Sequence, residues 1–138
     1  MKSITVTAVV NRKPDEVWER WTNPAHIKHW AFASDDWGVG PVENDVRAGG
    51  KFKTNMFARD GSASFDFEGT YTAVEQHRAL AYTLAGADGR KVAVQFEDLG
   101  AATKVSETFE MESENPEELQ RAGWQAILDN FKKHAENS

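Results

Sequence analysis

A carboxylate stands where an apolar side chain belongs. From Thr103 to Met111 the residues alternate with the period of two expected of a half-buried strand, and Val105, Glu107 and Phe109 fall on one side. Burial among such neighbours disfavours the charged form. Glu107 must therefore find a donor, hold its proton above the ordinary value of about 4.3, or meet a polar group of a ligand. Three readings stay open at this level: a polar anchor in a pocket, a strand bulge that turns Glu107 outward, or a hydrogen bond within the fold. The donors available to it are the hydroxyls of Tyr71 and Tyr82 and the indole of Trp124.

Other chemistry is thin. His26 and His29 sit three residues apart and could reach one ion from one helix face, but no third ligand follows by spacing, so surface histidines are the expectation. Asp35-Asp36 lacks partners, and Gly38-Val39-Gly40 has neither a lysine nor a helix pattern after it. No Gly-x-Ser-x-Gly elbow occurs. The absence of cysteine removes disulfides, thiolate nucleophiles and cysteine-bound zinc, and fits a reducing compartment. No triad or carboxylate pair can be assigned, and no metal or cofactor is expected.

The elements that must position Glu107 follow from punctuation and period. Ser3 to Val10 reads as a strand. Pro14, with Asp15 and Glu16 in the first turn, opens a helix whose apolar stripe is Val17, Trp18 and Trp21. Asn23-Pro24 starts a second short helix to about Trp30. The span from Ala33 to Gly50 is broken by Asp, Gly and Pro and reads as a loop with a short strand near Val42 to Arg47.

Strand patterns then recur at Lys51 to Ala58, Ser62 to Glu75, Arg78 to Ala85, Lys91 to Glu97 and Thr103 to Met111. Turn signals at Asp60-Gly61, Asp88-Gly89 and Asp98-Leu99-Gly100 divide them into an antiparallel meander. Asn115 as cap and Pro116 as first residue open a long helix to about Ala135. Such a helix buries its stripe on the largest apolar surface, the concave face of the sheet. The expected class is α+β, one domain over residues 1–138, with six or seven strands and the first strand beside the last.

Alternation points Phe65, Phe67, Gly69 and Tyr71 inward, together with Leu80, Tyr82, Leu84, Val92, Val94, Phe96, Phe52 and Met56. On the long helix the apolar arc takes in Leu119, Ala122, Gly123, Trp124, Ala126, Ile127, Leu128 and Phe131, opposite Arg121, Gln125, Asp129 and Lys132. Gly123 and Gly69 each stand in an inward row, where either close packing or cavity space accounts for a glycine. Five Trp, eight Phe and two Tyr in 138 residues either fill a core or line a cavity within it.

Charge narrows the partners. Twenty-two acidic residues against 16 basic ones leave no stripe to neutralise phosphates, so nucleic acid is not expected. No run approaches the roughly 20 apolar residues of a membrane span, and the alternating start differs from a signal peptide, so a cytoplasmic protein is expected.

The words of the chain resemble a known superfamily. They are Pro14-Asp15-Glu16-Val17-Trp18-Glu19-Arg20-Trp21, Trp30, Gly49-Gly50-Lys51-Phe52, Phe67-Glu68-Gly69-Thr70-Tyr71 and Leu80-Ala81-Tyr82-Thr83. Thr103-Lys104-Val105-Ser106-Glu107-Thr108-Phe109 and Gly123-Trp124-Gln125-Ala126-Ile127-Leu128-Asp129-Asn130-Phe131 follow in order. The set resembles the helix-grip fold of the START-like (SRPBCC) superfamily, in the branch similar to the C-terminal domain of the heat-shock protein 90 ATPase activator.

That resemblance implies a cavity between sheet and last helix for an apolar or amphipathic molecule of lipid, sterol or polyketide-like kind, held without catalysis. Trp30, Phe32 and Trp37 would stand near its mouth. Phe67, Tyr71, Tyr82, Phe96, Glu107, Trp124, Ile127 and Phe131 would line it. The alternatives are a cyclase- or hydrolase-like enzyme with Glu107 as general base, and a chaperone-associated interaction domain.

Overall fold

A computed structural model describes residues 2–86 and 88–138. The chain runs β1 (Ser3–Val10), α1 (Pro14–Thr22), α2 (Pro24–Ile27), β2 (Trp37–Asn44), β3 (Lys51–Ala58), β4 (Ser64–Glu75), β5 (Ala79–Leu84), β6 (Lys91–Asp98), β7 (Thr103–Glu110) and α3 (Glu117–Asn137). The strands form one antiparallel curled sheet in the order β1-β7-β6-β5-β4-β3-β2, so the first strand closes against the last. Two short helices and the long α3 complete an α+β helix-grip architecture. None of the described helices is long and apolar enough to cross a membrane.

The alternation read from the sequence holds along the central strands, where Leu80, Tyr82, Leu84, Val92, Val94 and Phe96 are all buried. Their hairpins turn at Gly61, Gly89 and Gly100, whose φ values of 80°, 52° and 92° would strain a side-chain-bearing residue. β4 departs at its start, where Phe65 is 50% exposed and meets the Trp37 ring edge-on at 5.7 Å.

Residues 37–44 correct the expected loop. They form a full edge strand, with a register shift between Val39 and Val42. Glycines and a proline obscure it because an edge strand with a bulge tolerates Pro41. Side chains of β3 lie across the two glycines: a Cβ on Gly38 would stand 2.7 Å from the Phe57 ring and one on Gly40 2.4 Å from Asn55 Oδ1. Of the expected segment Val42 to Arg47, only the first three residues are in the strand.

α1 begins as its residues dictate, with the Lys13 backbone N–H donating to Glu16 Oε1. Asn23 Oδ1 accepts from the Ala25 N–H at 2.9 Å and caps α2. α2 stops at Ile27 rather than near Trp30. The chain continues to Trp30 as turns, with the Trp30 and Ala31 N–H groups donating to Ile27 O, while the Trp30 indole donates to Arg20 O at 3.0 Å and Asn130 Nδ2 donates to Phe32 O.

α3 carries two corrections. Pro116, not Asn115, occupies the cap position, and Asn115 spends its side chain on Glu112. The buried stripe is Gln120, Leu128, Phe131 and Ala135, leaving Leu119 59% exposed and Ala122 exposed. Gln120 sets this phase: its Oε1 accepts from Glu112 N at 3.0 Å, and its Nε2 donates to Glu112 O at 3.1 Å and Asn115 O at 2.7 Å. Three hydrogen bonds to the preceding loop outweigh the transfer energy of one leucine. The helix runs past Ala135 to Asn137, where Arg12 Nε donates to the carbonyl of Ala135 at 2.8 Å and Arg20 to Ser138 O at 3.0 Å.

Gly123 makes no close contact, since a Cβ built there has nothing within 4 Å. Gly123→Ala should therefore raise stability by about 1 kcal/mol through helix propensity alone. Thermal melts should show a midpoint a few degrees higher. An unchanged or lowered midpoint would show that the glycine serves a contact absent from this packing.

Candidate functional site

Between the inner face of the sheet and the helices lies a cavity of about 340 Å³. Its wall is mostly apolar. β3 and β4 contribute Phe52, Met56 and Phe67, α1 and the residues around α2 contribute Trp21, Ile27 and Trp30, and α3 contributes Trp124 and Ile127. The rings form a continuous surface: Phe52 lies 5.8 Å from Phe67 and 4.8 Å from Tyr82, and Phe67 meets Trp124 edge-on at 6.1 Å.

Of the residues expected at the site, Trp30, Phe67, Tyr71, Tyr82, Glu107, Trp124 and Ile127 line this cavity. Phe32, Trp37, Phe96 and Phe131 are not among the lining residues. Phe131 is fully buried between Trp21 and Trp30, Phe96 packs edge-on against Trp18 and Trp21, and Trp37 rests on Phe65 at the rim. Trp21, Ile27, Asn44 and Arg90 line the wall without having been singled out as site residues. Trp21 could be read only as part of the α1 stripe. Asn44 and Arg90 stand at strand ends, where no local pattern signals an inward turn.

Glu107 faces the cavity. β7 keeps an unbroken register with both neighbours, pairing Glu107 with Val6 and with Val94, so no bulge turns it outward. It is 6% exposed, and no described residue donates a hydrogen bond to it. Burial pushes its pKa up to about 8, so it carries its proton at neutral pH.

None of the three candidate donors, all on the same cavity wall, hydrogen-bonds to it. The Tyr71 hydroxyl donates to Asn44 Oδ1 at 2.6 Å, and Asn44 Nδ2 passes the connection to Thr22 O at 2.8 Å. Burial pushes Tyr71 up to about 12 despite that bond. The Trp124 ring stacks on Phe109 at 4.1 Å and 9°. Tyr82, like Glu107, has no hydrogen-bond partner among the described residues, and burial, followed by the neighbouring Glu107, raises its pKa.

Gly69 keeps the wall in place. A Cβ there would stand 2.5 Å from Thr83 O and 2.9 Å from the Phe52 ring, so that ring lies directly on the β4 backbone. A side chain at this position would drive Phe52 toward the cavity.

His26 and His29 are joined in space by a third histidine. His134 of α3 places Nε2 at 2.8 Å from His26 Nδ1, and its ring stacks on His29 at 5.5 Å. Burial lowers the pKa of both His26 and His134, consistent with a hydrogen bond between neutral rings that ties α2 to α3. Among the described residues no group of three His, Cys, Asp or Glu is arranged to hold a metal ion.

Curled sheet, gripping helix and internal cavity together define a helix-grip protein of the superfamily that the sequence resembles. The chain belongs to the family described as Activator of Hsp90 ATPase homolog 1-like protein, which matches residues 11–136. It is similar to the AHSA1-like protein from Aeromonas hydrophila, solved in solution, with 41% identity and a TM-score of 0.91 over 99% of this chain and 93% of that one. A Cytophaga hutchinsonii protein, also solved in solution, shares 47% identity at a TM-score of 0.84, covering 98% and 92%. The Aha1 dimer from Colwellia psychrerythraea shares the fold at 17% identity and a TM-score of 0.74, covering 99% and 97%. No functionally curated protein matches the chain in sequence.

Proposed function

We propose that the protein binds an apolar or amphipathic small molecule, of lipid, sterol or polyketide-like character, in this cavity and holds it without chemistry. The observation that carries this reading is an aromatic-lined cavity with a buried carboxyl to which no described residue donates a hydrogen bond. Trp30, Phe67, Tyr71, Tyr82, Trp124 and Ile127 would contact the ligand body and Glu107 its polar group. Phe96 and Phe131 would support that wall from behind, and Phe32 and Trp37 would stand near its mouth. The family's range of apolar ligands supports the same reading, and a cytoplasmic setting accords with the absence of cysteine.

Three of the five tryptophans line the wall, so occupancy should quench intrinsic fluorescence. Native mass spectrometry before and after organic extraction should reveal a retained small molecule. The extracted protein should then be quenched by members of a panel of sterols, fatty acids and flavonoid-like aromatics, with Trp124→Phe reducing the signal. No retained mass and no quenching by any compound would leave the cavity as a packing void.

One observation favours a second reading. A buried acid that exchanges its proton near pH 8, beside a free tyrosine hydroxyl, suits general acid–base catalysis in a cyclase- or hydrolase-like enzyme. Glu107→Gln separates the two, since it would bind and fail to turn over a substrate but leave a simple binder intact.

A further inference from the structure

We infer that the cavity receives an oxygen acceptor: an apolar ring compound bearing a ketone, quinone or phenolate oxygen, held between the hydroxyl of Tyr82 and the carboxylic acid of Glu107. This rests on the binding reading above and narrows its ligand. The polar groups of the wall divide in two. Asn44 is satisfied by Tyr71 and Thr22, and Glu112 by Asn115. Tyr82, Glu107, Thr54 and the indoles of Trp21 and Trp124 make no side-chain hydrogen bond to a described residue, and the buried Nε of Arg90 lies 3.2 Å from Asp88 Oδ2 without hydrogen-bond alignment. All of these can donate an N–H or O–H, and the indoles and the guanidinium can only donate, so the ligand chemistry they share is an acceptor.

Tyr82 on β5 and Glu107 on β7 flank β6, where Tyr82 pairs with Val92 and Glu107 with Val94, one inward step apart. Both side chains are buried, 7% and 6% exposed, on the same wall of one cavity. The cavity wall thus carries two O–H groups to which no described residue offers a hydrogen-bond acceptor. In mostly apolar surroundings preorganised donors stabilise an oxygen of partial negative charge. A tyrosine paired with a protonated carboxylic acid serves this purpose in an unrelated enzyme. An ionised Glu107 would instead repel such an oxygen. The titratable groups on the wall are Tyr71, Tyr82, Arg90, Glu107 and Glu112, and burial keeps the proton on Glu107 at neutral pH.

A matched trio tests the inference: 1-tetralone, 1-tetralol and tetralin, titrated by tryptophan quenching into the extracted protein. Near neutral pH the ketone should bind about tenfold more tightly than the hydrocarbon, the difference one or two neutral hydrogen bonds make. Its affinity should fall several-fold at about pH 9, where Glu107 ionises. Glu107→Gln, which keeps an N–H donor and has no proton to lose, should retain the ketone and abolish the pH dependence. Glu107→Leu and Tyr82→Phe should each lose the preference for the ketone, with folding verified by circular dichroism. Equal affinities for ketone and hydrocarbon, tighter binding of the alcohol, or Glu107→Leu behaving like Glu107→Gln would overturn it. Failure of all three probes, tetralin included, would overturn the binding reading and this inference with it.

Discussion

Raising the pH from about 5 to about 9 should cost the protein several kcal/mol of stability, and Glu107→Gln should abolish most of that loss. In the unfolded chain Glu107 titrates near the ordinary value of 4.5, and in the folded protein near 8. Below about 4.5 both states hold the proton and the full stability is present. Between the two values the native state keeps a proton that the unfolded chain has released. Stability then falls by roughly 1 kcal/mol for each pH unit, to a total on the order of 5 kcal/mol, before levelling once both forms are ionised. That is a large part of the margin of about 5–15 kcal/mol usual for a domain.

His26 and His134 act in the opposite sense. Their pKa values are lowered on folding, so they contribute a rise in stability as pH climbs toward 6.5. The difference between wild type and Glu107→Gln at each pH removes them from the comparison. Urea denaturation at about pH 5, 7 and 9 should show the two proteins diverging, with the variant the more stable at the alkaline end. Parallel curves would mean that the native protein accommodates the Glu107 charge, through water or a donor that reaches it.

Phe131→Ala should destabilise the fold by roughly 3–5 kcal/mol, the cost of deleting a fully enclosed ring. Phe131 has no exposure and meets Trp21 at 4.8 Å and Trp30 at 4.9 Å, both edge-on, so these rings cannot collapse into its space without losing their own packing. Helix phase alone would assign Trp124→Ala the same cost. Trp124 is only partly buried and already borders a cavity, so its removal should cost at least about 1 kcal/mol less, even with its stack on Phe109 lost. Asp129→Ala, on the exposed face, should remain within about 0.5 kcal/mol of wild type. Denaturation midpoints should rank the three in that order. Equal midpoints for Phe131→Ala and Asp129→Ala would mean that α3 does not grip the sheet with this face.

Much of the scaffold was legible locally because its signals are local. A period of two assigns a side chain to one face wherever the strand has no bulge, and β7 has none, so the inward position of Glu107 followed from Val105 and Phe109 alone. Turn glycines marked hairpin ends because their backbone conformation excludes other residues. β2 was legible only as a short strand displaced to Val42 to Arg47, because an edge strand needs neither alternation nor freedom from glycine and proline. The phase of α3 was misplaced at Leu119 and Ala122 because Gln120 is turned inward by three bonds to a preceding loop, which no helical wheel contains.

The residues by themselves determined the class of fold, the order of its elements and the buried acid. Tertiary structure decided which inward side chains border empty space and which merely fill the core. Phe96 and Phe131 are as apolar and as inward as Phe67, yet they are enclosed by α1 and the residues around α2 while Phe67 opens on the cavity. It also brought His134 to His26 across the fold and engaged Tyr71 with Asn44, leaving Glu107 and Tyr82 without hydrogen-bond partners among the described residues. The physical reason is common to all of these. Periodicity states which way a side chain points, whereas the group it meets there comes from a distant part of the chain.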